Sequence, residues 1–95
     1  MIKRIVKMSF KIEKIDEFKS LFLEHKDRIQ SFEGCHSVCL LQDLKDHCTF
    51  FTYSIWDSEH HLELYRQSEL FFSVWSKTKV LFLHKPQAWS VKEIS

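Results

Sequence analysis

The sequence predicts an α+β fold of four antiparallel strands and two helices in the order β-α-β-β-α-β. Three observations predict it: apolar residues alternating with polar ones near the N-terminus, two stretches with apolar residues three or four apart, and two adjacent strand-like runs between them. This order is the split-βαβ, or ferredoxin-like, arrangement, in which both helices cover one face of the sheet. At 95 residues the chain is expected to be a single domain spanning 1–95.

The first strand is expected over 2–10, where Ile2, Val6, Met8 and Phe10 share one parity and Lys3, Lys7 and Ser9 the other. A helix is expected from about Lys14 to Ser31, with the stripe Ile15, Phe18, Leu21/Phe22, His25 and Ile29. Gly34, the only glycine, stands where a left-handed residue would close that helix. Strands at 35–42 and 47–56 then flank Asp43-Leu44-Lys45-Asp46, which predicts a hairpin. A two-residue loop at Leu44-Lys45 would pair Leu41 with Cys48, Cys39 with Phe50, and His36 with Tyr53. Both faces of that hairpin are rich in apolar residues, whereas antiparallel sheets commonly leave one face wet. Asp57-Ser58-Glu59 opens the second helix with a capping residue and a first-turn carboxylate. Its stripe of Leu64/Tyr65, Ser68, Phe71/Phe72, Trp75, Thr78 and Phe82 extends to about Phe82, with a possible break capped by Ser68. Pro86 bars further helix, and residues 88–94 are expected as the last strand.

Composition bounds the function. Hydrophobic residues make up 44% and aromatics 15%, with nine Phe and three Trp, a heavy load for so short a chain. Such a surplus points to a partner surface or an internal pocket. The formal net charge of +1 argues against nucleic-acid binding, which needs a basic face. No run approaches the ~20 apolar residues of a membrane helix, and the N-terminus lacks a signal-like apolar segment. A cytoplasmic protein without a membrane role is therefore expected. Three cysteines make no disulfide framework. Cys35 and Cys39 would stand roughly 13 Å apart on a strand, too far to share a metal. His60 and His61 are adjacent and point apart, which suits no metal, and a lone glycine rules out a Gly-rich phosphate loop.

Phe32-Glu33-Gly34-Cys35, Tyr53-Ser54-Ile55-Trp56-Asp57-Ser58-Glu59 and Tyr65-Arg66-Gln67-Ser68-Glu69-Leu70-Phe71 together resemble the antibiotic biosynthesis monooxygenase family. The resemblance covers nearly the whole chain. It implies a homodimer in which two ferredoxin-like sheets pack face to face as a dimeric α/β barrel. It also implies a pocket between helices and sheet, and oxidation of quinol-like or other small aromatic substrates by dioxygen without metal or flavin. Quinol-oxidising members often carry a His where this chain has Tyr65. The haem-degrading branch uses Asn, Trp and His where Lys7 or Met8, Tyr65 and Trp75 stand here, so haem degradation is not expected.

Two functional readings follow: a cofactor-independent monooxygenase, or a non-catalytic dimeric module that binds a small hydrophobic ligand. For catalysis, the candidates are His36, paired with Tyr53 in the expected register, and Tyr65. Trp75, Phe71, Phe72, Phe51 and His25 are the candidate substrate-binding residues. Each has a plainer reading: His36 as a strand-end residue in water, His25 as a satisfied core histidine, and the aromatic stripe as core packing.

Overall fold

The computed structural model describes all 95 residues. Strand β1 (Ile2–Phe10) leads through a 3₁₀ turn (Ile12–Lys14) into helix α1 (Ile15–Gln30). Strands β2 (Cys35–Gln42) and β3 (Thr49–Trp56) form the central hairpin. Helices α2 (Glu59–Arg66) and α3 (Glu69–Lys79) precede strand β4 (Phe82–Val91). The sheet is antiparallel in the order β2-β3-β1-β4, so the expected ferredoxin-like architecture is the one observed. No helix is long and apolar enough to cross a membrane.

The second helix of the sequence pattern is in fact two. Ser68 stands at the break in an extended conformation, and its hydroxyl accepts the Phe71 N–H at 3.1 Å as the N-cap of α3. Ser58 caps α2 in the same way, accepting the His61 N–H at 3.2 Å. Helix α3 stops at Lys79, short of Phe82, and β4 begins six residues before the expected position. Pro86 lies inside that strand. It is tolerated because β4 is an edge strand and its register shifts where Lys85 and Pro86 pass Met8, which removes the need for a proline N–H.

The hairpin register also differs from expectation. Cys39 pairs with Tyr53, Leu40 with Thr52 and Leu41 with Phe51, a slip of three residues. The loop spans 43–48 rather than two residues because two aspartates organise it. Asp43 Oδ2 accepts the N–H groups of Lys45 and Asp46 at 3.0 and 2.7 Å, while the Asp46 carboxylate takes the Cys48 N–H and the Thr49 hydroxyl. An odd slip exchanges the faces of one strand relative to the other. The predicted His36–Tyr53 pair therefore does not form: His36 is the unpaired residue between Cys35 and Ser37, at a bulge on the edge of the sheet.

The sheet has two different faces. Towards the helices, Met8, Phe10, Phe18, Phe22, Ile29, Val38, Phe50 and Leu81 make the core. Phe10 is fully buried and stacks on Phe18 at 4.0 Å, with Phe50 set edge-on to both. On the opposite face no element covers the row formed by Tyr53, Ile5 and Trp89, nor the flanking Leu41, Phe51, Ile55 and Val91. Leu41, Trp89 and Val91 are 47, 44 and 43% exposed.

Candidate functional site

The aromatic core fills only one end of the space between helices and sheet. Beyond it lies a cavity of about 270 Å³. Its floor is the inward parity of β1 (Arg4, Val6, Met8) with Thr52 and Ser54 of β3 and Ala88 of β4. Its roof comes from Phe18, Phe22 and Ile29 of α1, and from Leu62, Tyr65, Phe71 and Trp75 of α2 and α3. An engineered apolar cavity of about 150 Å³ holds benzene, so this space admits one or two aromatic rings.

The candidate residues fall into two groups. Tyr65, Phe71 and Trp75 come together on the cavity wall. Trp75 and Phe71 stack with centroids 5.8 Å apart, and Trp75 stands edge-on to Phe82 at 5.5 Å. The Tyr65 ring stacks on Trp56 at 5.0 Å and meets Phe32 and Phe71 edge-on. The break before Ser68 permits this arrangement, because it lets α2 and α3 present their aromatics from two directions. The remaining candidates stand off the wall. Phe51 and Tyr53 occupy the outer face of the sheet. Phe72 projects from α3 and is 73% exposed. His25 is buried in α1, where Nδ1–H donates to the Leu21 carbonyl at 2.8 Å in its own helix. His36 pairs with the Asp57 carboxylate at the sheet edge.

Chemically the wall is unusual in what it contains. No His, Asp or Glu lines it. Burial pushes the Tyr65 phenol well above its ordinary range, and the nearby Cys35 adds to the shift. Tyr65 therefore stays protonated at physiological pH, able to donate a hydrogen bond but not to take a proton. Its hydroxyl forms no hydrogen bond within the chain, yet no fully buried polar side-chain atom lacks a partner. The hydroxyl thus reaches space that a water or ligand atom can enter. The strongest polar group on the floor is Arg4, which the strand pattern passed over. It stands between Ser54 and Ser90, its two cross-strand neighbours, and its Nη1 donates to the Ser90 hydroxyl at 3.0 Å. The sequence signal was there: Arg4 is the one charge on the otherwise apolar parity of β1.

No three His, Cys, Asp or Glu side chains converge anywhere in the structure. His61 lies against the Ser58 hydroxyl through Nδ1 at 2.8 Å, and its neighbour His60 is exposed.

The fold is shared with proteins of very different sequence. A solved antibiotic biosynthesis monooxygenase superposes with a TM-score of 0.93 at 20% identity, each chain covering 100% of the other. A conserved protein from Methanosarcina mazei Go1 gives 0.93 at 19% identity over 98% of this chain and 92% of its own. Rv0793 from Mycobacterium tuberculosis gives 0.89 at 13% identity over 99% and 95%. At such identities the likeness concerns the fold. No curated protein matches by sequence. The family model for antibiotic biosynthesis monooxygenases, however, matches residues 1–73, from β1 into α3 and across most of the cavity wall. The chain belongs to the antibiotic biosynthesis monooxygenase family.

Proposed function

We propose that this protein is a cofactor-independent monooxygenase that oxidises a small aromatic, quinol-like substrate with dioxygen in the cavity between helices and sheet. The cavity wall carries the proposal: Trp75 and Phe71 are placed to hold a ring, and the Tyr65 hydroxyl is free to bond an oxygen on it. In the reaction a quinol and dioxygen give a hydroxyquinone and water. The quinol enters as its phenolate, and a ring carbon forms the new C–O bond as dioxygen is reduced to the peroxide level. Loss of the ring proton and cleavage of the O–O bond leave the carbonyl, and the departing oxygen leaves as water. Tyr65 donates a hydrogen bond where negative charge develops on oxygen. The apolar roof keeps bulk water from that oxygen.

Oxygen uptake over a panel of quinols tests this reading. Tyr65→Phe keeps the ring stacked on Trp56 and removes only the hydroxyl, so the rate is expected to fall about 10²-fold with little change in stability. A similar fall in His36→Ala instead would place the proton route at the sheet edge. The lack of any His or carboxylate on the wall favours one alternative, a non-catalytic module that binds the same ligands. Tight binding without oxygen uptake would establish that alternative.

The outer face of the sheet supports a homodimer built by sheet-to-sheet packing, with a second copy covering Ile5, Tyr53, Ile55 and Trp89. Sedimentation equilibrium should return twice the chain mass at micromolar concentration. Trp89→Asp places a charge in the middle of that face and should give monomers; a dimer unaffected by it rules this face out.

A further inference from the structure

Arg4 has no carboxylate partner. The ion pairs of the molecule are Lys3–Glu93, Lys14–Glu17, His36–Asp57 and Arg66–Glu63, and Arg4 is in none of them. Its one side-chain bond, to the Ser90 hydroxyl, uses one of five guanidinium N–H groups. The guanidinium is half-buried on the cavity floor, where burial and the nearby Arg66 both work against its charge. Arg66 lines the same cavity, and Glu63, also close, answers only one of the two positive charges. One net positive charge thus faces an apolar space whose aromatic wall suits a ring. A half-buried cation without a carboxylate partner loses part of its hydration, and an anion in the cavity would offset that loss.

We infer that the ligand of this cavity is an aromatic anion, a one- or two-ring compound bearing a carboxylate or comparably acidic oxygen that Arg4 binds while Trp75 and Phe71 hold the ring. The inference rests on the cavity being the functional site, and it narrows the substrate class from aromatic compounds in general to acidic ones. Arg4 offers a planar pair of donors matched to two oxygens, a geometry that a lysine would not reproduce. Tyr65, a phenol that stays neutral, lines the same cavity.

Isothermal titration of the whole protein with 2-naphthoate and with its neutral counterpart 2-naphthamide decides the matter. The two differ in charge and scarcely in shape. The acid is expected to bind about tenfold or more tightly than the amide, and added salt should narrow the gap. Arg4→Met should abolish the preference by weakening the acid about tenfold or more and the amide much less, with an unchanged circular-dichroism spectrum showing that the fold is intact. Arg4→Lys retains the charge and should retain part of the preference. Equal binding of acid and amide by the unaltered protein, or a preference that survives Arg4→Met, overturns the role of Arg4. In the first case the cavity reading still stands. Binding of neither compound overturns both.

Discussion

Replacing Gly34 by alanine should destabilise the fold through both conformation and space. Gly34 has φ +87°, a left-handed conformation that costs a residue with a Cβ about 1–2 kcal/mol. Space is a second obstacle. An added Cβ would lie 2.6 Å from His61 Cδ2 and closer still to Cβ and Cγ of the same side chain. The Cβ is fixed by the backbone of α2, so no rotamer change of His61 clears it. Either α2 moves off the sheet by about 1 Å to restore ordinary carbon contacts, or the turn distorts, and such overpacking costs about 1–3 kcal/mol. The loss of unfolded-chain freedom returns about 0.4–1 kcal/mol. The sum is a destabilisation of about 1–5 kcal/mol, or a fall in Tm of roughly 4–40 °C for a chain of this length.

The consequence extends to the site. The Gly34 carbonyl accepts the Asp57 N–H at 2.8 Å, so the turn also ties down the start of α2, the helix that carries Tyr65. Urea unfolding followed by circular dichroism measures the cost. A double-mutant cycle with His61→Gly separates its parts, since removing the side chain should relieve the overlap and leave the conformational cost. A coupling of about 1–3 kcal/mol is expected. A Gly34→Ala variant within about 0.5 kcal/mol of the parent would show that the turn does not hold the left-handed conformation.

Phe10→Ala, at a fully buried position stacked on Phe18, should cost about 3–5 kcal/mol, while Phe72→Ala at 73% exposure should stay within about 0.5 kcal/mol; equal costs would contradict the burial pattern. The His36 hydrogen bond holds the Asp57 carboxylate below its ordinary range, against a smaller opposing effect of desolvation. A depressed folded value contributes stability above the unfolded pKa, about 3.9, and that contribution disappears as pH falls through the folded value. The difference in urea midpoint between the parent and Asp57→Asn should therefore begin to narrow near about pH 4 and close only below the depressed folded value. A gap that persists in strong acid would mean that Asp57 acts through something other than its charge.

Much of the fold was legible because periodicity and capping report directly on local structure. The stripe from Phe18 to Ile29 became the buried side of α1, and Ser68 became the N-cap it resembles. Strand register is a different kind of quantity. It depends on the loop, and the alternative closed by Asp43 and Asp46 carries no Asn-Gly or Asp-Gly signature. One odd slip was enough to part His36 from Tyr53 and to send Phe51 to the outer face. The start of β4 was hidden by Pro86, which reads as a break and proves to be a bulge on an edge. Within the site, the aromatics were visible as a helical stripe. Arg4 was overlooked because a single charge in an apolar alternation looks like noise in the pattern.

That overlooked residue changes what the site can be asked to do. A cavity with a His or carboxylate on its wall could take a proton from a neutral quinol. This wall offers a phenol held protonated by burial and a guanidinium that never gives up its proton. Under the proposed function, both groups stabilise negative charge on oxygen and neither creates it. The protein's contribution is then selection of the ionised substrate, alignment of its ring against Trp75, and electrostatic support for an oxygen that gains charge during the reaction. Proton removal falls to the substrate's own acidity, enhanced by Arg4. On this view an ionised group of the substrate anchors it at Arg4, while the phenolate that reacts with dioxygen forms only as far as the ring hydroxyl's own pKa, lowered beside the guanidinium, allows.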